Sequence, residues 1–132
     1  MQNIICGICS LLLTGYFSIA ETWAQTEHFR RDYEYLTIYR NGQWSDSETG
    51  YNSFVFNVGP RNDIVHYMAN GKKAVYRKLS DIYQDTTTDG EGYQMLRVLN
   101  DDGDEILLQL FDAHRLGLKL IISQNFMVQF HN

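Results

Sequence analysis

Beyond Cys9 this chain has no cysteine, and its only two, Cys6 and Cys9, sit inside an apolar run from Ile4 to Ala20. If that run is removed, disulfides, thiol catalysis and cysteine metal sites are all excluded from what remains. Proline occurs once, and 44% of the residues are hydrophobic, which argues for a packed core and against disorder. No lysine or arginine precedes residue 25, and no basic cluster follows it. The body from residue 25 onward carries 15 acids against 11 bases, a net charge of -4. Such a balance offers no electrostatic footprint for nucleic acid and no polybasic patch for an anionic membrane. No phosphate-binding loop, His-Glu-x-x-His pair or Gly-x-Ser-x-Gly elbow is present.

What is present first is the apolar run itself. It has the length of a signal-peptide core and is short for a membrane span. Small residues suit cleavage after Ala20, with Ser18 three positions back, or after Ala24, with Thr22 there. The segment Met1-Gln2-Asn3 departs from the pattern, because only the terminal amine supplies positive charge. Ile5 and Ile8 precede the two cysteines, where lipidation needs a small residue. The expectation is a signal peptide over 1–24 and a single domain over 25–132, exported to the periplasm, cell surface or medium, with no membrane span after cleavage. An uncleaved N-terminal anchor is the alternative.

The body is rich in aromatics and punctuated by turn dipeptides. A polar, aperiodic lead-in over 25–32 gives way to a period of two. Strands are expected at 33–40, 51–58, 63–69, 72–79, 93–99, 104–111, 118–123 and 126–131. Asn70-Gly71 is read as a two-residue hairpin loop, with positive φ at both positions. Residues 80–92 are read as the longest loop, with one helical turn possible over 80–84. Tyr33, Tyr35 and Tyr39 are placed on one strand face. The strands at 51–58 and 104–111 are apolar on both faces, so they are covered on both or line a cavity. The fold class is all-β: a small antiparallel meander of about eight strands, barrel-like or a two-sheet sandwich.

The candidate sites are few. The histidines His28, His66, His114 and His131 show no ligand spacing, and His66, beside Ile64 and Met68 on its strand, reads as a partly buried, hydrogen-bonded side chain. The cluster Asp101, Asp102, Asp104 and Glu105 lacks the spacing of an EF-hand and reads as a solvated turn. Neither a cofactor nor a metal is expected.

The run Tyr39-Arg40-Asn41-Gly42-Gln43-Trp44-Ser45-Asp46, the 64–67 strand, the Asp101-Asp102-Gly103 turn and the terminal Phe126-Met127-Val128-Gln129-Phe130 resemble small, uncharacterised exported β-rich proteins of Bacteroidetes-type bacteria. The resemblance implies export and a small β fold, and it transfers no catalytic residue. Gly42-Gln43-Trp44 is also similar to the Gly-x-Trp triplet on the first strand of lipocalin-type barrels, although here it follows a strand and a turn.

The expected function is a non-catalytic exported binding protein, a lipocalin-like carrier of a small apolar or amphipathic molecule. Its candidate contacts are Trp44, Phe54, Phe56, Tyr67, Tyr76, Leu108 and Leu110. One alternative is an envelope or secreted protein-interaction or inhibitor module that uses a Tyr/Trp face. Another is a small hydrolase with carboxylates in the 80–92 loop. A carrier should enclose an apolar cavity, whereas an interaction module should have a filled core and outward-facing aromatics.

Overall fold

A computed structural model describes residues 27–132 of the protein, so the expected signal segment and both cysteines lie outside the described residues. Ten strands follow one another: β1 (Phe29–Arg40), β2 (Gln43–Trp44), β3 (Glu48–Val58), β4 (Asp63–Tyr67), β5 (Lys73–Lys78), β6 (Tyr83–Thr86), β7 (Gly92–Leu99), β8 (Glu105–Phe111), β9 (Leu118–Ser123) and β10 (Phe126–His131). All pairings are antiparallel. Eight strands close into a ring in the order β1-β3-β4-β5-β7-β8-β9-β10, and β10 returns to β1. The architecture is therefore a barrel, with β2 and β6 as short additions paired to β1 and β7. Closure satisfies strand edges that would otherwise expose unpaired backbone.

Three expectations are corrected. The lead-in over 25–32 is too long, because β1 already begins at Phe29, whose ring stacks on Phe56 with centroids 4.5 Å apart. The 80–92 loop holds β6, paired from Tyr83↔Met95 to Thr86↔Gly92, and no helical turn forms there. The three tyrosines of β1 do not share a face. The β1–β3 register slips between Tyr33 and Tyr35. Tyr33 is thereby turned into the core, while Tyr35 is left outside, stacked on His131.

The hairpin chemistry also moves. Asn41 (φ 48°) and Gly42 (φ 90°) form the two-residue loop with positive φ at both positions, between the paired residues Arg40 and Gln43. At Asn70-Gly71 only the glycine is left-handed, at φ 86°. There Gly71 N–H donates to Met68 O at 3.0 Å, and the Asn70 side chain accepts from Lys72 N–H at 2.9 Å. That side-chain bond holds Asn70 at ordinary φ and makes a four-residue turn ending in a glycine bulge. The same hydrogen-bond pattern recurs at Gly90 with Thr87 and at Gly103 with Asn100.

Inward-facing residues from the eight strands of the ring fill its interior. Phe54, Phe56, Ile64, Val98, Leu108 and Leu118 are each at 0% exposure. Full burial of a side chain such as Phe54 contributes about 2–3 kcal/mol from apolar transfer. One seam is thin. β5 and β7 share only the pairs Arg77↔Leu99 and Lys78↔Val98. Beyond them the Val75 N–H has no strand to meet, and it donates to the Asp101 carboxylate at 3.2 Å.

Candidate binding face on the outer wall

The barrel interior comes first, because five of the sequence-derived candidates point into it. Phe54, Phe56, Leu108, Leu110 and Tyr76 all belong to one core cluster. A side chain with no surface open to a water-sized sphere borders no void that a ligand could enter, and Phe54, Phe56 and Leu108 are in that state. They are packed within that cluster: Phe54 lies 5.1 Å from Phe130 and 6.1 Å from Tyr33, ring centroid to centroid.

One polar cluster of this core is built on His66, which is 4% exposed. Its ring stacks on Phe54 at 4.1 Å. Its Nε2 lies 2.9 Å from Asn52 Oδ1 and its Nδ1 lies 3.4 Å from the Tyr76 hydroxyl. Asn52 Oδ1 can only accept, so Nε2 carries the proton and Nδ1 accepts from Tyr76. Asn52 in turn donates to the Gly50 carbonyl at 2.9 Å. Burial lowers the His66 pKa to about 4, so the ring is neutral. Burial, reinforced by the charge of Asp101, pushes Tyr76 up to about 12. Tyr33 is also raised to about 12 by burial, against the lowering effect of the neighbouring Arg31 guanidinium.

The two remaining candidates, Trp44 and Tyr67, are on the outside and apart from each other. Tyr67 is half exposed on β4, opposite Ser53 and Lys73. Near it, Asp32 accepts from Ser53 Oγ at 2.6 Å and from Arg30 Nε at 2.7 Å. Burial works to raise the Asp32 pKa, but these hydrogen bonds and the Arg30 charge outweigh it and hold the carboxylate below its ordinary value.

Trp44 has a richer setting. The Asn41-Gly42 turn places it on β2 directly opposite Tyr39, with ring centroids 5.1 Å apart. Lys119 on β9 extends its ammonium to 5.5 Å from the Trp44 ring and 5.8 Å from the Phe111 ring. Leu118 and Leu120 flank Lys119 and face the core, so strand alternation sends Lys119 outward. Phe111 is itself held edge-on by Tyr93 at 6.0 Å. Burial against these rings lowers the Lys119 pKa. Among the described residues, Lys119 makes no ion pair. Amides and hydroxyls surround the rings. Gln109 and Gln129 pair with Lys119 across the neighbouring strands, and Thr37 pairs with Gln129. Beside Trp44 a shallow depression is lined by Ile38, Arg40, Gln43, Ser45 and Glu48, where the strand returning along β1 is interrupted between β2 and β3.

Of the side chains on this face, only Trp44 is among the sequence-derived candidates; Tyr39 is placed there on a strand face with Tyr33 and Tyr35, and Lys119 and Phe111 are not singled out. The available signal was a lone charged residue in the strand Leu118–Ser123, whose cross-strand neighbours are both glutamines.

The acids once assigned to a loop serve local structure. Asp85 on β6 accepts from the Tyr83 hydroxyl at 2.7 Å and from Thr86 N–H at 2.8 Å, and these bonds lower its pKa. Glu91 pairs with Arg115. Among the described residues, no group of three potential metal ligands converges, and no helix is long and apolar enough to cross a membrane. In comparisons with known proteins, no family, no curated protein and no solved structure matches this chain.

Proposed function

We propose that the protein is a small exported, non-catalytic binding module that holds its ligand or partner on the outer wall of the barrel, at the Tyr39–Trp44–Lys119 face. The observation that carries this reading is the contrast between the two sides of the sheet. The inner candidates, Phe54, Phe56 and Leu108, are packed to 0% exposure, whereas Trp44 keeps 45% of its surface open beside a half-buried lysine. Exposed aromatics with polar surroundings are typical of recognition surfaces, and burying them on contact supplies much of the affinity. A lipocalin-like carrier would need the inner aromatic layer to give way, so the geometry favours the outer-wall alternative. Export rests on the apolar segment 4–20 and the cysteine-free body.

The test is native mass spectrometry of the protein purified from its own host's envelope or medium, alongside Trp44→Ala. The expected result is a mass that begins near residue 25, with a co-purifying species that Trp44→Ala loses. A species retained by Trp44→Ala would refute the outer-wall reading and return attention to the interior.

A further inference from the structure

The Lys119 ammonium is an unusual group on this surface. It is drawn out of water far enough to lower its pKa, yet among the described residues no carboxylate neutralises it. Charges withdrawn from water are ordinarily paired, because desolvation otherwise costs more than it returns. Two ring faces, Trp44 and Phe111, each within about 6 Å, offset part of that cost, and water reaches the open side of the half-buried group. The ammonium, held between two rings and without an ion pair among the described residues, is thus open to an anionic group.

Its surroundings indicate what form that group takes. A protein-binding hot spot is ringed by further apolar side chains that exclude water. The depression beside Trp44 is instead lined by Arg40, Gln43, Ser45 and Glu48 together with Ile38, with Gln129 and Thr37 on the Lys119 side. An open aromatic plane surrounded by amides and hydroxyls suits a ligand with an apolar face and a rim of hydroxyl groups. A sugar ring has that shape. A sugar ring bearing a carboxylate also supplies the anionic group.

Building on the outer-wall reading, we propose that this face binds an acidic saccharide. A uronate-type ring stacks on the exposed side of Trp44, and its carboxylate sits on Lys119. Gln43, at the depression beside Trp44, is placed to meet the hydroxyls, and Phe111 holds the lysine in position from beneath.

The chain has two tryptophans, Trp23 and Trp44. In a full-length Trp23→Phe protein, tryptophan emission therefore reports on this face alone. The probe is an oligogalacturonate, titrated in parallel with its methyl ester, which keeps the ring and removes the charge. The expected result is a saturable change in Trp44 emission with the acid, and at least tenfold weaker binding of the ester. The acid should bind more weakly as salt is raised. Lys119→Met, which keeps the aliphatic contact with the rings, should weaken the acid at least tenfold and leave the ester unchanged, whereas Lys119→Arg should stay within about threefold of wild type. Unaltered circular dichroism in both variants shows that the barrel is intact.

Equal affinity for acid and ester, or an unchanged Lys119→Met, would overturn the proposal. So would a response to polyglutamate with none to the oligogalacturonate, which would assign the face to acidic polypeptides. If the saccharide fails while Trp44→Ala still loses the species co-purifying from the host, the outer-wall reading stands and only the ligand class falls. If Trp44→Ala retains that species, both fall.

Discussion

The buried histidine makes the stability of this barrel depend on mildly acidic pH. His66 titrates near 6.5 in an unfolded chain and at about 4 in the folded one, where burial disfavours the imidazolium. The unfolded state therefore takes up a proton first as pH falls. Stability is full above pH 6.5, declines between 6.5 and 4, and levels off below 4 as far as this residue is concerned. The shift corresponds to a loss of about 2 kcal/mol by pH 5 and about 3 kcal/mol in full, a large share of the ~5–15 kcal/mol typical of a domain. Protonation also places a hydrogen on Nδ1, which faces the Tyr76 hydroxyl and can then no longer accept from it. Asp32 and Asp85 have lowered pKa values, so their contribution is lost only as pH falls below about 3.8, outside this window. Urea unfolding followed at intervals from pH 7.5 to 4.5 measures the effect, with a His66→Gln protein as the non-titrating reference. A midpoint that stays flat from pH 7 to 5 in the wild type would refute the buried, neutral assignment. So would a decline of equal size in His66→Gln.

Other substitutions probe the packing. Gly117→Ala should destabilise by about 2–4 kcal/mol in denaturant titration. Gly117 has φ 71°, and an added Cβ would collide with the Phe130 carbonyl, which is backbone and cannot swing away. Phe54→Ala should cost about 3–5 kcal/mol, because the void it leaves is walled by Tyr33, His66 and Phe130, which are fixed by the closed ring.

Strands were legible wherever burial wrote an alternating pattern into the sequence. Leu118–Ser123 and Phe126–His131 match the expected spans, because one face of each packs on the core and the other meets water. β6 was illegible for the opposite reason. All four of its residues are exposed, so backbone pairing with β7 holds it and no apolar period marks it. The start of β1 was hidden by Arg30, Arg31 and Asp32, a charged run that nevertheless alternates, with Arg31 buried and its neighbours outside. At the candidate site, Trp44 and Tyr39 were visible because a hairpin turn joins them. Lys119 was not, because its significance comes from rings on β2 and β8 that only barrel closure brings beside it. The register slip that separates Tyr33 from Tyr35 leaves no mark in side-chain pattern, since it arises from the pairing with β3.

The pairing of β1 with β10 has a kinetic consequence. Leu36 and Ile38 are covered on that side only when Phe130 and Val128 arrive. The contact of Thr37 with His131 at 2.8 Å likewise joins the first strand of the ring to its last. Loops this long are slow to close, and contacts of high sequence separation form late in folding. A chain emerging in order from its N-terminus therefore cannot cover β1 until β10 has been made. During that interval it is a set of partly paired hairpins with an uncovered apolar side. That state is open to threading through a narrow channel and also to aggregation. Ring closure then commits the chain to its folded form in one late step, wherever that step takes place.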